Sequence, residues 1–136
     1  MQIFKAMQIS SSGLTAERFR LDLIANNIAN ANSTRTEEGG PFRRRSAVFA
    51  EKMDAARRNG QGVRVMSVSE DRTPPRLVYE PGHPDADAAG FVAFPNVNVI
   101  QEMVDMITAT RAYEANVTTL NAAKSMFLKA LEIGRG

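Results

Sequence analysis

Cysteine and tryptophan are both absent from the 136 residues. Without a thiol there is no disulfide, no thiolate nucleophile and no cysteine-bound metal. The same absence suits a chain that passes from a reducing to an oxidising space without cross-linking. Only two tyrosines occur, so stacking platforms for sugars or bases are thin. The single histidine, His83, lies in PGHPD with only Asp85 and Asp87 close by. A general base or metal ligand needs more partners than that, and His83 reads as a surface-loop residue. No run approaches 18 consecutive apolar residues, so no transmembrane helix is expected. The opening MQIFKAMQISSSGLTAERF contains no continuous apolar core, and no cleaved secretory signal is expected either.

Charge of one sign is also scarce. The formal net charge is +2, divided as +4 over residues 1–60, −2 over 61–98 and zero over 99–136. That distribution argues against a nucleic-acid or membrane-binding surface. Arg43, Arg44 and Arg45 form the one basic run, followed by Lys52, Arg57 and Arg58. No recognition helix or aromatic platform accompanies them, so they read as a solvated face, subunit ion pairs or contact with an anionic surface. Dinucleotide, phosphate-loop, zinc-protease and calcium-loop motifs are missing. Glu37/Glu38 and Glu70/Asp71 read as solvated faces or caps, not acid–base pairs. No catalytic residue, cofactor, metal site, nucleic-acid partner or small-molecule substrate is expected.

What is present is helical periodicity at both ends. Met7, Leu14, Leu21 and Ile28 are seven apart, with Ile3, Ser10, Glu17, Ile24 and Ala31 in the companion position. This predicts a helix from about residue 5 to 31, roughly 40 Å long, with Ser10–Gly13 fraying or bending its first turns. Near the other end, Val99, Met103, Met106, Thr110, Tyr113, Val117, Leu120, Lys124, Phe127 and Leu131 alternate spacings of four and three. Ile100, Val104, Ile107 and Leu128 widen that stripe. The helix predicted over 99–133 spans roughly 50 Å, long for so short a chain. Lys124 is the polar departure on its seam, expected to snorkel or pair with an acid.

The middle reads differently. EGGPFRR (38–44) is a turn, Phe42–Glu51 a possible strand and 53–59 a short helical turn. Gly62–Ser69 is the best strand candidate, and Leu77–Tyr79 and Phe91–Phe94 are short strands around the loop 80–90. The fold class is therefore α+β: long terminal helices forming a coiled-coil axial core, with a small β-rich insert. The divisions are 1–36, 37–96 and 97–136. An insert of this size cannot cover a 50 Å stripe, so the helices call for further helices and the sequence leans toward an assembling protein.

Within LIANNIANANSTRT (23–36), Asn26, Asn27, Asn30 and Asn32 crowd a helix end. Asparagine is a poor helix former that favours caps and turns. One reading is a helix stop. The other is a set of amides fixing register where Ala25, Ala29 and Ala31 let another helix come close. Both readings are compatible.

Ser12-Gly13-Leu14-Thr15-Ala16-Glu17 and Leu23–Ser33 (LIANNIANANS) are similar to the N-terminal signature of bacterial flagellar rod and hook proteins. PPRLVYEPGHPDAD, GFVAFPNVNVIQEMVDMITATRAYEANVTTLNAAKSM and the short length narrow the resemblance to the basal-body rod proteins, over nearly the whole chain. The resemblance implies a non-enzymatic subunit of the proximal rod, polymerising into a hollow drive shaft that transmits torque and passes exported subunits. It implies a place in the periplasm or wall region, reached without a cleaved signal. Its implied partners are itself, other flagellar rod proteins, the MS-ring/rod junction protein and the flagellar type III export apparatus. The assembly interface is expected on Leu14, Leu21, Ile24, Asn26, Asn27, Ile28 and Asn30, against Met103, Met106, Tyr113, Val117, Leu120 and Phe127. A non-flagellar coiled-coil adaptor or oligomerisation module is the competing reading.

Overall fold

The computed structural model describes residues 2–54 and 59–135. In chain order the elements are α1 (Gln2–Ala29), β1 (Arg45–Asp54), β2 (Asn59–Glu70), β3 (Arg76–Tyr79), β4 (Phe91–Phe94) and α2 (Val99–Gly134). The architecture is α+β, a long helix at each end and two small sheets between them.

The start of α2 is set by Asn98. Its backbone is extended, and its Oδ1 accepts from the N–H groups of Ile100 at 3.1 Å and Gln101 at 3.3 Å. Those two donors have no partner inside the helix, which is why asparagine is favoured there. Glu102 in the first turn adds negative charge at the positive end of the helix dipole. No proline or glycine interrupts the chain until Gly134.

α1 begins earlier than the periodicity suggests and runs unbroken through Ser10–Gly13. The serines are accommodated within the helix: Ser12 Oγ donates to Ile9 O at 2.7 Å, and Thr15 Oγ1 does the same to Ser11 O at 3.1 Å. Small size is useful here. A Cβ on Gly13 would lie 3.1 Å from the Asn116 amide atoms of α2. Ser10, Ala16, Ala109 and Ala123 are all buried.

The helices run antiparallel. Phe4 meets Phe127 edge-to-face at 5.0 Å, Gly13 abuts Asn116, and Asn27 bonds Glu102. Small residues let the two backbones approach along the middle of the pair, with aromatic rings filling one end and polar groups the other. Lys124 is exposed and makes no ion pair among the described residues.

β1 and β2 form an antiparallel hairpin from Arg45↔Glu70 to Asp54↔Asn59. The register shifts twice, between Val48/Phe49 and between Glu51/Met53. Each shift leaves an extra residue on β2, which bends and twists the ribbon. Strand conformation at Met53 replaces the helical turn expected from 53, because cross-strand pairing continues to Asp54; residues 55–58 of that segment, with Arg57 and Arg58, lie outside the described residues. β1 starts at Arg45 and not at Phe42, whose N–H donates to Ser33 O at 3.0 Å outside the ladder.

β3 and β4 pair antiparallel from Arg76↔Phe94 to Tyr79↔Phe91. Their connection 80–90 is a loop closed by Glu80 N–H to Gly90 O at 2.9 Å and Asp87 N–H to Phe91 O at 2.8 Å. Gly90 takes φ +85° with Tyr79 packed over it, so a side chain there would be both strained and obstructed. His83 Nδ1 accepts from Asp85 N–H at 3.0 Å. Asp85 in turn accepts from Thr34 Oγ1 at 2.8 Å, which ties the loop to the segment after α1. Val92 within β4 and Pro95 just after it are fully buried.

Candidate assembly site

The Asn-rich end of α1 separates into residues with different tasks. Asn27 is 1% exposed. Its Nδ2 donates to Arg45 O at 2.8 Å and to Glu102 Oε2 at 3.0 Å, and its Oδ1 accepts from Arg45 N–H at 2.9 Å. The amide thus offers β1 the donor and acceptor pair of a neighbouring strand, from a helix. Asn30 is half-buried and acts locally, donating to Asn26 O at 2.9 Å and accepting from Ser33 Oγ at 3.1 Å. Those bonds occupy the helix terminus just past Ala29. Asn26 is exposed, and its side chain makes no bond among the described residues.

Glu102 is 0% exposed. A buried carboxylate is tolerable only when paired and bonded. Oε1 accepts from Arg44 Nε and Oε2 from Asn27. Arg44 also lies 3.4 Å from Asp105, so one guanidinium serves two carboxylates of α2. The Arg44 N–H donates to Asn96 Oδ1 at 2.9 Å, and Asn96 Nδ2 donates to Asp71 O at 3.2 Å and Thr73 O at 3.0 Å. One connected polar cluster therefore joins α1, the entry to β1, the exit of β2 and both sides of the α2 N-terminus.

A second fastening sits further along α1. Ser12 Oγ accepts from Val63 N–H at 3.0 Å. Gly62 has φ +110°, and a Cβ there would collide with Ser12 Oγ. The hairpin is thus held to α1 at Asn27 near its base and at Ser12 near its far end. Both residues belong to the two N-terminal signature stretches.

The basic run disperses along this cluster. Arg44 goes to Glu102 and Asp105. Arg45 pairs with Glu70 at 3.1 Å and lies 5.7 Å from the Phe42 ring. Arg43 is exposed. Glu102 and Asn96 were not singled out from the sequence; Arg44 stood there only within the basic run, and Gly62 only as the start of a strand. The one available signal was that Glu102 interrupts an apolar stretch beside Met103.

Of the residues expected at the interface, Ile24 is buried. Leu14, Leu21, Ile28, Met106, Tyr113, Val117, Leu120 and Phe127 are half-buried. Met103 is exposed. It lies on a stripe with Ile100, Val104 and Ile107, spaced as one helix face, and all four side chains are open to solvent, up to 76% for Ile100. The α1-facing side of α2 is carried instead by Glu102, Ala109, Asn116, Ala123 and Phe127. The first half of α2 therefore has two faces: one filled by α1, and an apolar one left uncovered. Contiguous apolar exposure of this kind marks an interaction surface.

Comparison with known proteins assigns the chain to a family. Residues 7–35 match the family described as flagella basal body rod protein. Residues 88–133 match flagellar basal body rod FlgEFG protein C-terminal. The flagellar basal-body rod protein FlgC of Borreliella burgdorferi is 46% identical, with 100% of both chains covered. That of Bacillus subtilis is 41% identical and that of Salmonella typhimurium 46%, each over 99% of this chain and 100% of the relative. This chain belongs to the FlgC family. As a FlgC-family protein it is a structural subunit of the flagellar basal-body rod and not an enzyme, which sets aside the non-flagellar adaptor. The two family matches fall on the helices and their flanks. The buried node between them, from Asn27 to Glu102, is where this FlgC-family chain ties one matched region to the other.

Proposed function

We propose that residues 1–36 and 97–136 form a coiled-coil axial core in the proximal rod, and that residues 37–96 are an insert held against it. The observation that carries this is the uncovered stripe Ile100–Met103–Val104–Ile107 on the side of α2 away from α1. Apolar side chains in that spacing are stabilised by another helix, at about 25 cal/mol per Å² of apolar surface removed from water. The half-buried positions Leu14, Leu21, Ile28, Met106, Tyr113, Val117, Leu120 and Phe127 keep surface for additional neighbours, as do Asn26 and Asn30 at the end of α1. Ile24 and Asn27 hold the subunit in shape behind them.

In this reading subunits stack about a central channel. The wall transmits torque and the channel passes later subunits. Partners are other copies, other rod proteins and the MS-ring/rod junction protein, and the chain arrives through the flagellar type III export apparatus without a cleaved signal. Lack of cysteine supports that route.

Because the chain has no native thiol, burial on assembly can be measured directly. Met103→Cys should react readily with a maleimide in the purified chain and be protected at least tenfold in isolated basal bodies. Equal reactivity in both states would defeat the assignment of this face to the axial core.

A further inference from the structure

The β1–β2 hairpin leaves a groove of about 350 Å³ against the middle of α1. Its lining includes Ser12, Thr15 and Ala16 from the helix and Lys52, Val63 and Arg64 from the strands. Among the described residues, Lys52 and Arg64 are the only charged members of that lining. Both are exposed, and neither side chain has an ion pair or hydrogen bond among the described residues. The neighbouring Glu51 lies against Gly60, and Glu17, next to Ala16, has Arg20 3.8 Å away. Two unpaired cations beside valine and alanine suit a segment that brings carboxylates and apolar side chains together.

The same chain carries such a segment. The loop 80–90 holds Glu80, Asp85 and Asp87 and no lysine or arginine. Asp85 is used within the subunit, by Thr34 and Arg35. Glu80 and Asp87 are exposed and have no ion pair among the described residues. Arg76, the one cation of β3 and β4, lies over the Phe94 ring at 5.6 Å. Next to Glu80, the exposed Tyr79 meets the exposed Phe91 edge-to-face at 5.4 Å. The loop does not reach the groove of its own subunit. The Thr34–Asp85 bond holds it past the end of α1, whereas Ala16 lies roughly 20 Å of helix before Ala29. Among the described residues, β3 and β4 do not touch β1 or β2.

We propose that the groove between α1 and the β1–β2 hairpin receives the loop 80–90 of a second copy of this chain. Glu80 and Asp87 then meet Lys52 and Arg64, and the Tyr79–Phe91 pair lies against the Val63 side of the groove. The proposal goes beyond the axial-core reading, because it gives the insert its own contact between subunits. Contact between two different patches is heterologous, and the end members of a joined set keep a free loop or a free groove. The patches are displaced along α1, so each added copy is offset along the helix axis and leaves the next groove open.

The test treats basal bodies from motile wild-type cells with a zero-length carbodiimide, which joins amines to carboxylates in contact, and sequences the linked peptides. The expected product joins Lys52 to Glu80 or Asp87 and is absent from the dilute purified chain. Lys52 joined to another rod protein or to a different carboxylate of a second copy would overturn the proposal. So would Lys52 left unlinked, or the same product in the dilute chain. Charge exchange gives a second readout. Arg64→Glu and Glu80→Lys alter exposed side chains, so each should leave the unfolding midpoint nearly unchanged and lower the yield of basal bodies at least fivefold. The double variant should recover at least half of that loss. Full yield from the single variants, or no recovery in the double, would also overturn it. Thiol protection at position 103 reports on the axial core separately, so the two readings can fail independently.

Discussion

Asn27 pairs with the backbone of Arg45 through both ends of its amide, at 2.8 and 2.9 Å, while its second N–H reaches the buried Glu102 at 3.0 Å. Three elements distant in sequence meet on one side chain. The family signature, at this position, fastens the chain to itself.

Asn27→Ala leaves Glu102 Oε2 and the Arg45 backbone unpaired in a buried site. Its expected cost is about 2–4 kcal/mol. Asn27→Asp keeps the acceptor, loses both donors and sets a second carboxylate beside Glu102, so it should cost at least as much. Asn26→Ala, one residue away and exposed, should change stability by less than about 0.5 kcal/mol. Urea unfolding of the purified chain measures all three, and equal effects at 26 and 27 would contradict the geometry.

Glu102 and Arg44 should be strongly coupled. Glu102→Ala removes the carboxylate that holds Arg44 and Asn27, and its expected cost is about 3–5 kcal/mol, as for other broken buried ion pairs. A double-mutant cycle of Arg44→Ala with Glu102→Ala should give a coupling energy of about 1–3 kcal/mol. Additive effects would mean that the pair does not act as a unit.

The hairpin's distal fastening is open to a backbone test. Gly62→Ala puts a Cβ at φ +110° and into Ser12 Oγ. Strain of this type costs about 1–3 kcal/mol. Ser12→Ala should relieve the collision but leave the Val63 N–H without its partner, so the double variant should recover part of the loss. Amide exchange at Val63 reports on the contact directly.

Substitutions on the two faces of α2 should separate folding from assembly. Val104→Asp and Ile107→Asp alter side chains already in solvent; they should leave the unfolding midpoint nearly unchanged and abolish rod incorporation and motility. Leu21→Asp and Leu120→Asp act on half-buried positions and should lower stability as well as motility. Wild-type motility in the first pair would remove the outer face from the interface.

Asp71 provides a pH-dependent marker. The Thr73 hydroxyl at 2.6 Å and the Thr73 N–H at 2.9 Å hold its carboxyl below the ordinary value. A depressed folded-state pKa means that the stabilising increment is present above the ordinary carboxylate titration and is lost as pH falls through the lowered pKa. NMR titration should show Asp71 titrating below an unperturbed aspartate, and Thr73→Ala should move its midpoint upward.

Much of this architecture is legible in the order of residues. Both long helices follow from apolar spacing, and α2 carries no internal breaker. Gly62–Ser69, Leu77–Tyr79 and Phe91–Phe94 read as strands because β-branched and aromatic residues are bounded by Gly and Pro. The start of β1 and the hairpin's reach past Glu51 were less legible, since bulges and cross-strand pairing depend on the partner strand. Ser10–Gly13 looked like weakness in a helix; in the folded chain the same small residues allow close approach of α2.

By itself the sequence determined the class of protein: no thiol, no catalytic constellation, two amphipathic helices too long for the insert between them, and signature stretches that identify the family. Periodicity suffices for this because it is a local property of the chain. Only the tertiary structure decided which face of α2 is spent on α1 and which is left over, and which asparagine is buried. Those are properties of helix rotation and of partners some 75 residues apart. The wide stripe on α2 is apolar around more than one side, so its sequence fits several rotations; the Asn27–Arg45–Glu102 bonds select one, and thereby set Ile100, Met103, Val104 and Ile107 facing outward.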